Sequence, residues 1–276
     1  MAFDVSHPEI QDIVRKALAE DIGSGDITSN LCIPADATAI GRMVARESLT
    51  LAGVELLPLI FTDCIVAITR RSGDQLNDSD EIAVVQGPAR ALLTGERTAL
   101  NFVQRLSGIA TLAAAYVRAV EGTRCRILDT RKTTPGLRRL EKMAATAGGA
   151  VNYRIGLFDA VLIKNNHIAA AGGVRAALER TRNAGVPVEI EVRTREELDE
   201  ALACGATHLL LDNLSPAEAR EWIAHINRRA IVELSGGITL ETARAYAETG
   251  ADFLSSGAIT HSAPAMNINF RLDFAC

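Results

Sequence analysis

Aromatic residues are scarce in this chain. Phe, Trp and Tyr make up 4% of its 276 residues, while apolar residues as a whole reach 48%. A substantial core built mainly from Ala, Val, Ile and Leu favours an α/β protein over a β-sandwich. Positive charge is not in excess: the formal net charge is −5, which argues against a general nucleic-acid binder that works by neutralising phosphates. No run of about 18 apolar residues occurs, so no membrane span is expected. The opening MAFDVSHPEI lacks the basic-then-apolar pattern of a signal peptide. The five cysteines, Cys32, Cys64, Cys125, Cys204 and Cys276, are odd in number, widely spread and without a CxxC pair. Neither a disulfide framework nor a structural zinc site is indicated, and a reducing cytoplasm is the expected location. There is no HxH, HExxH or Cys/His cluster, no GxGxxG and no GxxxxGK[ST]. Zinc hydrolases and Rossmann or P-loop nucleotide enzymes thereby lose support.

The length allows one barrel-sized domain or two ordinary ones. Ser6 and Glu9 have the spacing of a capping box, with Pro8 tolerated early in the helix that follows. Ile10, Ile13, Val14, Ala17 and Leu18 fall on one face of that helix. EDIGSGDITSN reads as a loop. Strands are expected at Thr38–Glu47, Cys64–Arg70 and Glu81–Val85, the last broken by Gly87-Pro88. A short helix is expected at Val54–Phe61, and a mostly helical stretch from Ala91 to Val120 interrupted at Gly108.

A regular alternation follows. Strands are predicted at Arg126–Asp129, Ala160–Lys164, Pro187–Val192, His208–Asp212, Ala230–Leu234 and Asp252–Ser256. Helices are predicted at Leu137–Ala147, Val174–Asn183, Arg195–Ala203, Pro216–Ile226 and Leu240–Thr249. The spacing of roughly 20–30 residues is that of a βα unit. Only about six such strands are legible, too few for a full eight-unit barrel. The expected fold is therefore an incomplete parallel α/β barrel, over residues 109–265, with an N-terminal α+β sandwich domain over residues 1–108. The tail, 266–276, contains an alternating stretch expected to return as a strand to the first domain.

Barrel enzymes build their sites at the carboxyl ends of the strands, and the chain places charged residues there. Arg131 and Lys132 follow the first predicted barrel strand and Lys164 ends the second. A basic pair in a loop is usually just solvated; Lys164 can serve a phosphate or, if desolvated, form a Schiff base. Glu191 and Asp212 end the next two strands. They can cap the following helices, or hold Mg²⁺ or sugar hydroxyls and stabilise a developing oxocarbenium ion. Ser235-Gly236-Gly237 and Gly257 follow the last two strands, where glycine either makes an ordinary tight turn or lets backbone N–H groups cradle a phosphate. His167 and His261, the histidines near these loops, are weak evidence on their own. Arg97 reads by itself as a surface or helix-pairing residue.

The segments EDIGSGDITS, GERTALNFVQRLSGIAT, DTRKTTPGLRRLEK, GGAVNYRIGLFDAVLIKNNHI, VPVEIEV, LLLDN, SGGIT and SGAITHS run in one order over nearly the whole chain. Together they resemble the quinolinate phosphoribosyltransferase family, also called carboxylating nicotinate-nucleotide pyrophosphorylases. The resemblance implies transfer of phosphoribosyl from 5-phosphoribosyl 1-diphosphate to quinolinate, giving nicotinate mononucleotide, pyrophosphate and CO₂, with Mg²⁺. It also implies a homodimer, with higher assembly open, in which the N-terminal domain of one subunit faces the barrel mouth of the other and Arg97 reaches across to the substrate.

Carried over position by position, the resemblance gives Arg131 and Arg154 to the quinolinate carboxylates. Lys132 and Lys164 fall between that dianion and the phosphoribosyl group, and Thr130 lies beside them. Glu191 and Asp212 go to the ribose hydroxyls and the metal. Ser235, Gly236 and Gly237, with Ser256, Gly257 and Ala258, go to the 5′-phosphate. Two positions depart from the family pattern: Tyr153 stands where His is usual and Asn165 where Asp is usual. A Schiff-base lyase using Lys164, and a paralogue that binds without turnover, stay open as alternatives.

Overall fold

The computed structural model describes residues 4–274. In chain order the helices are α1 (Pro8–Ile22), α2 (Ile27–Cys32), α3 (Leu57–Ile60), α4 (Ala89–Ala119), α5 (Arg138–Ala147), α6 (Asn165–Ala171), α7 (Val174–Thr181), α8 (Arg195–Ala203), α9 (Pro216–Ile226), α10 (Leu240–Ala247) and α11 (Ala258–His261). The strands are β1 (Thr38–Ala45), β2 (Leu49–Thr50), β3 (Ile65–Ile68), β4 (Gln75–Leu76), β5 (Glu81–Pro88), β6 (Arg126–Leu128), β7 (Val161–Ile163), β8 (Val188–Val192), β9 (His208–Asp212), β10 (Ile231–Ser235), β11 (Phe253–Ser255) and β12 (Ile268–Phe274). The chain forms two compact units. One takes the residues up to Ala114, Thr133–Gly149 and the chain from Ile259 onward; the other takes Ala115–Lys132 and Ala150–Ala258.

The first unit is built on an antiparallel sheet in the order β12-β1-β5-β3, with a separate β2–β4 pair. β12 joins it from the far end of the chain, Ala45 opposite Ile268 and Ala39 opposite Phe274. Its core is Ile10 of α1, Met43, Leu51, Leu56, Leu57, Ile82, Leu92, Leu106 and Ile109, all fully or almost fully buried. Within the same unit Glu141 of α5 is buried completely. It accepts from the Thr134 backbone N–H at 3.0 Å, the Thr134 hydroxyl at 2.7 Å and Arg105 Nη2 at 2.9 Å. These bonds tie down the TTPG loop.

The second unit carries a six-stranded parallel sheet in the order β6-β11-β10-β9-β8-β7. It is the incomplete α/β barrel that the strand count predicts. A single parallel bridge from Leu128 to Val151 adds to the β6 side. Strand periodicity divides the side chains: in β8, Ile190 and Val192 share one face while Glu189 and Glu191 share the other. Some of the helices that follow these strands carry caps written in sequence. Thr194 accepts from the Glu197 N–H at the start of α8, and Ser215 and Glu218 form a full capping box at the start of α9.

Several expectations need correcting. The cap of α1 is His7, whose Nδ1 accepts from the Glu9 N–H, while Ser6 bonds Asp4 instead. Most of EDIGSGDITSN is helical: α1 runs to Ile22, and Asp26 caps α2 by accepting from the Ser29 N–H at 2.9 Å. Pro88 does not break β5. It lies at the last rung, opposite Thr38, beyond the start of β3 opposite Gln86, so no ladder partner on that side needs its missing N–H. Gly108 does not interrupt α4. A Cβ there would meet the Pro264 carbonyl oxygen at 1.8 Å, so glycine answers a close backbone approach rather than a helix end. The sequence reading missed α6 and α11, both short.

The described cysteines, Cys32, Cys64, Cys125 and Cys204, form no disulfide, and Cys276 lies outside the described residues. Burial pushes the Cys125 thiol up to about 12, which makes it unreactive at neutral pH. Among the described residues no helix is long and apolar enough to cross a membrane.

Candidate active site

Reading the strand ends in sheet order gives the site. β6 ends in Thr130-Arg131-Lys132, β11 in Ser256-Gly257-Ala258, β10 in Ser235-Gly236-Gly237, β9 in Asp212, β8 in Glu191 and β7 in Lys164. All are carboxyl ends of parallel strands, the end at which such sheets carry their chemistry. Cations therefore stand at the two outer strands, two glycine loops adjoin one of them, and carboxylates fill the remaining positions. Tyr153 and Arg154 lie on the segment that leads from the Val151 bridge towards β7.

Glu191 is the best-anchored member. Its side chain is 2% exposed, Arg193 Nη2 lies 2.6 Å from one carboxylate oxygen, and Lys164 Nζ lies 3.7 Å from the other. Arg193, two residues on in the same strand direction, was not singled out from sequence. Lys164 is half exposed, at 51%, and paired with Glu191. That is not the desolvated amine a Schiff-base enzyme needs. Asp212 is half-buried and accepts from Asn213 Nδ2 at 2.6 Å. Neither acid caps a helix: Thr194 and Ser215 do that.

Glycine is required at the end of β10. Gly236 has φ +94° and a Cβ on it would lie 2.3 Å from the Asn213 side-chain oxygen and 2.7 Å from the Asn213 backbone nitrogen; Gly237 follows at φ +62°. The Asn213 N–H in turn donates to the Ser235 carbonyl at 2.9 Å, so the β9 and β10 loops brace each other. At the end of β11 the Ser256 hydroxyl is buried and donates to the Ile238 carbonyl at 3.1 Å. Its hydroxyl proton is thus committed within the fold.

Around Tyr153 the arrangement is denser than the sequence reading foresaw. Asp129, 1% exposed, accepts from the Tyr153 backbone N–H at 2.9 Å and from Asn152 Nδ2 at 2.6 Å. The Arg154 guanidinium stacks over the Tyr153 ring, 5.9 Å from its centroid, and donates through Nη1 to the Ala160 carbonyl at 3.1 Å. Arg154 Nε is buried without a partner. Burial, and then the Glu189 carboxylate, push the Tyr153 phenol well up. Two buried carboxyls, Glu189 of β8 and Glu233 of β10, were also missed, although VEIEV repeats its acids at the strand period.

Asn165 is exposed at the start of α6. His167 serves as a cap there, its Nδ1 accepting from the Lys164 N–H at 2.9 Å, and His261 meets only Ser262 Oγ at 2.6 Å among its hydrogen bonds. Arg97 is exposed on α4, in the other compact unit. Among the described residues no group of three or more His, Cys, Asp and Glu is arranged to hold a metal.

A parallel α/β-barrel unit whose mouth joins arginines, lysines, two carboxylates and glycine loops defines an enzyme class that handles phosphorylated, polyanionic substrates. The chain belongs to the quinolinate phosphoribosyl transferase family: the model of that family's N-terminal domain matches residues 26–107 and that of its C-terminal domain residues 109–271. It is 42% identical to the carboxylating nicotinate-nucleotide pyrophosphorylase of Mycobacterium leprae, over 99% of this chain and 100% of that protein. It is 39% identical to a probable carboxylating nicotinate-nucleotide pyrophosphorylase of Bacillus subtilis, over 96% of this chain and 94% of that protein. The crystal structure of NadC from Streptococcus pyogenes superposes with a TM-score of 0.94 at 36% identity, covering 100% of both chains.

Proposed function

We propose that this protein transfers the phosphoribosyl group of 5-phosphoribosyl 1-diphosphate to the ring nitrogen of quinolinate, with release of pyrophosphate and CO₂, to give nicotinate mononucleotide for NAD biosynthesis. The observation that carries this reading is the order of groups along the carboxyl strand ends: cations, phosphate-type loops, carboxylates, cation.

Arg131 and Arg154 take the two ring carboxylates. Guanidinium pairs with carboxylates are planar and often bidentate, and the buried, partnerless Nε of Arg154 supports a carboxylate arriving on that edge. The loops Ser235–Gly237 and Ser256–Ala258 take the 5′-phosphate through backbone N–H groups. Glu191 and Asp212 accept the ribose hydroxyls and stabilise positive charge that develops at the anomeric carbon as its bond to diphosphate breaks. Thr130, Lys132 and Lys164 flank the diphosphate. The ring nitrogen bonds to the anomeric carbon as diphosphate leaves. The ring is then cationic, the bond from C2 to its carboxylate breaks, CO₂ departs and C2 takes a proton. Holding the reactants in place supplies most of what the second step needs.

Mg²⁺ fits this site in a restricted way. Glu191 is already engaged by two cations, and Asp212 is the carboxylate left over. That set is too small for a resident all-protein metal but suits an ion that arrives on the diphosphate and keeps most of its waters. When bound, such an ion would supply charge to neutralise the leaving group, with Asp212 as the carboxylate beside it. We further propose a homodimer in which Arg97 serves the partner subunit's pocket, supported by its exposure on α4, and a cytoplasmic location. Pyrophosphate and CO₂ release with quinolinate and 5-phosphoribosyl 1-diphosphate tests the reading. Tight binding of both substrates with no product would show a binding paralogue instead.

A further inference from the structure

The two edges of the antiparallel sheet in the first unit differ in chemistry. At one edge β12 carries Arg271 and Asp273, both exposed. Charges of this kind discourage a further strand from pairing. At the other edge β3 reads Ile65-Val66-Ala67-Ile68, without a charge or a proline. Ile65 is 72% exposed and Ile68 39% exposed. The register shows where the backbone groups of β3 point. Ile68 stands opposite Ala83 of β5, and the next residue, Thr69, donates its N–H to the Ile82 carbonyl at 3.0 Å. An antiparallel ladder alternates hydrogen-bonded and non-hydrogen-bonded pairs. Ile65 and Ala67 therefore bond to β5, while the N–H and C=O groups of Val66 and Ile68 point away from it. Among the described residues no strand lies on that side. Asp63 is exposed just before the strand, and the side chain of Arg71, 88% exposed, follows it.

We propose that this edge pairs with the same edge of a second copy of the chain, antiparallel across a two-fold axis at Ala67. Such an axis stands perpendicular to the sheet, so each residue meets one whose side chain lies on its own face. Hydrogen bonding selects the register. An axis at Val66 or at Ile68 would call on the N–H of Cys64 or of Arg70. These already donate to the Phe61 and Ile82 carbonyls, at 3.2 and 3.3 Å. With the axis at Ala67, Val66 exchanges hydrogen bonds with Ile68 of the second copy, and Ile68 with its Val66. Charge selects the same register. Asp63 then comes opposite Arg71 at both ends of the contact, and opposite charges facing each other across strands attract. An axis at Val66 leaves Asp63 opposite Thr69. The pairing also covers the exposed flank of Ile68 with Val66 of the second copy and joins two four-stranded sheets into one. Charged edges are then the only open ones. None of this depends on the proposed reaction.

Mass in solution and cross-linking test the pairing. Ala67→Lys sets two ammonium groups opposite each other at the axis, and lysine on an exposed edge strand is compatible with the fold. Sedimentation should be run from about 1 to 100 µM protein, the range suited to so small a contact. At the upper end the parent should reach twice the mass of Ala67→Lys. If subunits also pair through the face that carries Arg97, the halving runs from tetramer to dimer; otherwise it runs from dimer to monomer. Cross-linking reads the register without relying on a disruptive change. Ala67 faces itself at a non-hydrogen-bonded pair, where Cα atoms lie about 4.5 Å apart, within reach of a disulfide. Ala67→Cys should therefore form a covalent dimer on oxidation, above the background that the native cysteines give in the parent. Ile65→Cys should not, because its two copies stand roughly 13 Å apart along the strands. Equal masses for the parent and Ala67→Lys would overturn the proposal. So would a covalent dimer of Ile65→Cys that forms as readily as that of Ala67→Cys.

Discussion

Replacing Glu191 by Gln separates the fold from the chemistry. Gln keeps the shape of the side chain and an acceptor oxygen for Arg193, but not the charge. Removing one partner of a buried ion pair costs roughly 3–5 kcal/mol when the other partner stays buried. Here Glu191 is buried, but Arg193 and Lys164 are 49% and 51% exposed and regain water. The stability loss should then be near that of an exposed pair, about 1 kcal/mol, or roughly 2–4 °C in Tm. Activity should respond far more. A ribose hydroxyl gains about 1.5–3 kcal/mol from a charged acceptor against about 0.5–1.5 from a neutral one. The field of a fixed charge at a cationic transition state adds to that, since removing one such group typically costs about a hundredfold or more. We expect kcat/KM for 5-phosphoribosyl 1-diphosphate to fall at least about a hundredfold, measured by pyrophosphate release beside a thermal melt. A fall smaller than about threefold, under 1 kcal/mol, with a normal melt would refute Glu191 as a transition-state group. A collapsed melt would refute the claim that its partners re-solvate.

Nicotinate should be a poor substrate beside quinolinate, because the missing carboxylate leaves a half-buried guanidinium unmatched in the closed complex; comparable kcat/KM values for the two acids would disprove this. Arg97→Ala and Lys164→Ala subunits, each weak alone, should regain part of the parent activity when mixed into verified hybrid dimers, since one intact site is rebuilt; no recovery would count against a shared site. Glu141→Ala should lower stability by about 1.5–3 kcal/mol, as it takes the carboxylate from Arg105, which keeps the Ala263 and Thr260 carbonyls, and leaves the Thr134 donors without their acceptor. Denaturant unfolding reads this, and a change under 1 kcal/mol would show that the Thr134 loop is held by other contacts.

The fold was legible where one structural demand governs a stretch of sequence. β9, α8 and α9 begin and end where the pattern places them, because apolar strands buried on both faces alternate with helices that carry Thr194 and Ser215 as caps. It was illegible where tertiary contact overrides a local signal. Gly108 looks like a helix break and is in fact a contact point for the Pro264 backbone. Gly87-Pro88 looks like a strand break, and only the register shows that β5 outlasts its neighbour there.

The candidate site divides in the same way. Residues at strand ends could be found from position and charge alone, because βα order fixes which end of the sheet they occupy. Those that tune the site could not. Arg193 matters because it folds back onto Glu191, and Asp129 because it holds the backbone of Tyr153 from 24 residues away. Glu189 and Glu233 illustrate the limit most clearly. An acid at the strand period is a visible signal, but which two strands flank β9 and bury their acids beside it is not. Pairwise electrostatics of this kind depends on distances between strands, which no single strand's sequence contains. The same consideration applies to Tyr153, legible in sequence as a departure from the family's His, while the Glu189 charge acting on its phenol is a product of packing. Position along the chain chose the residue, and packing chose which of its atoms meets what.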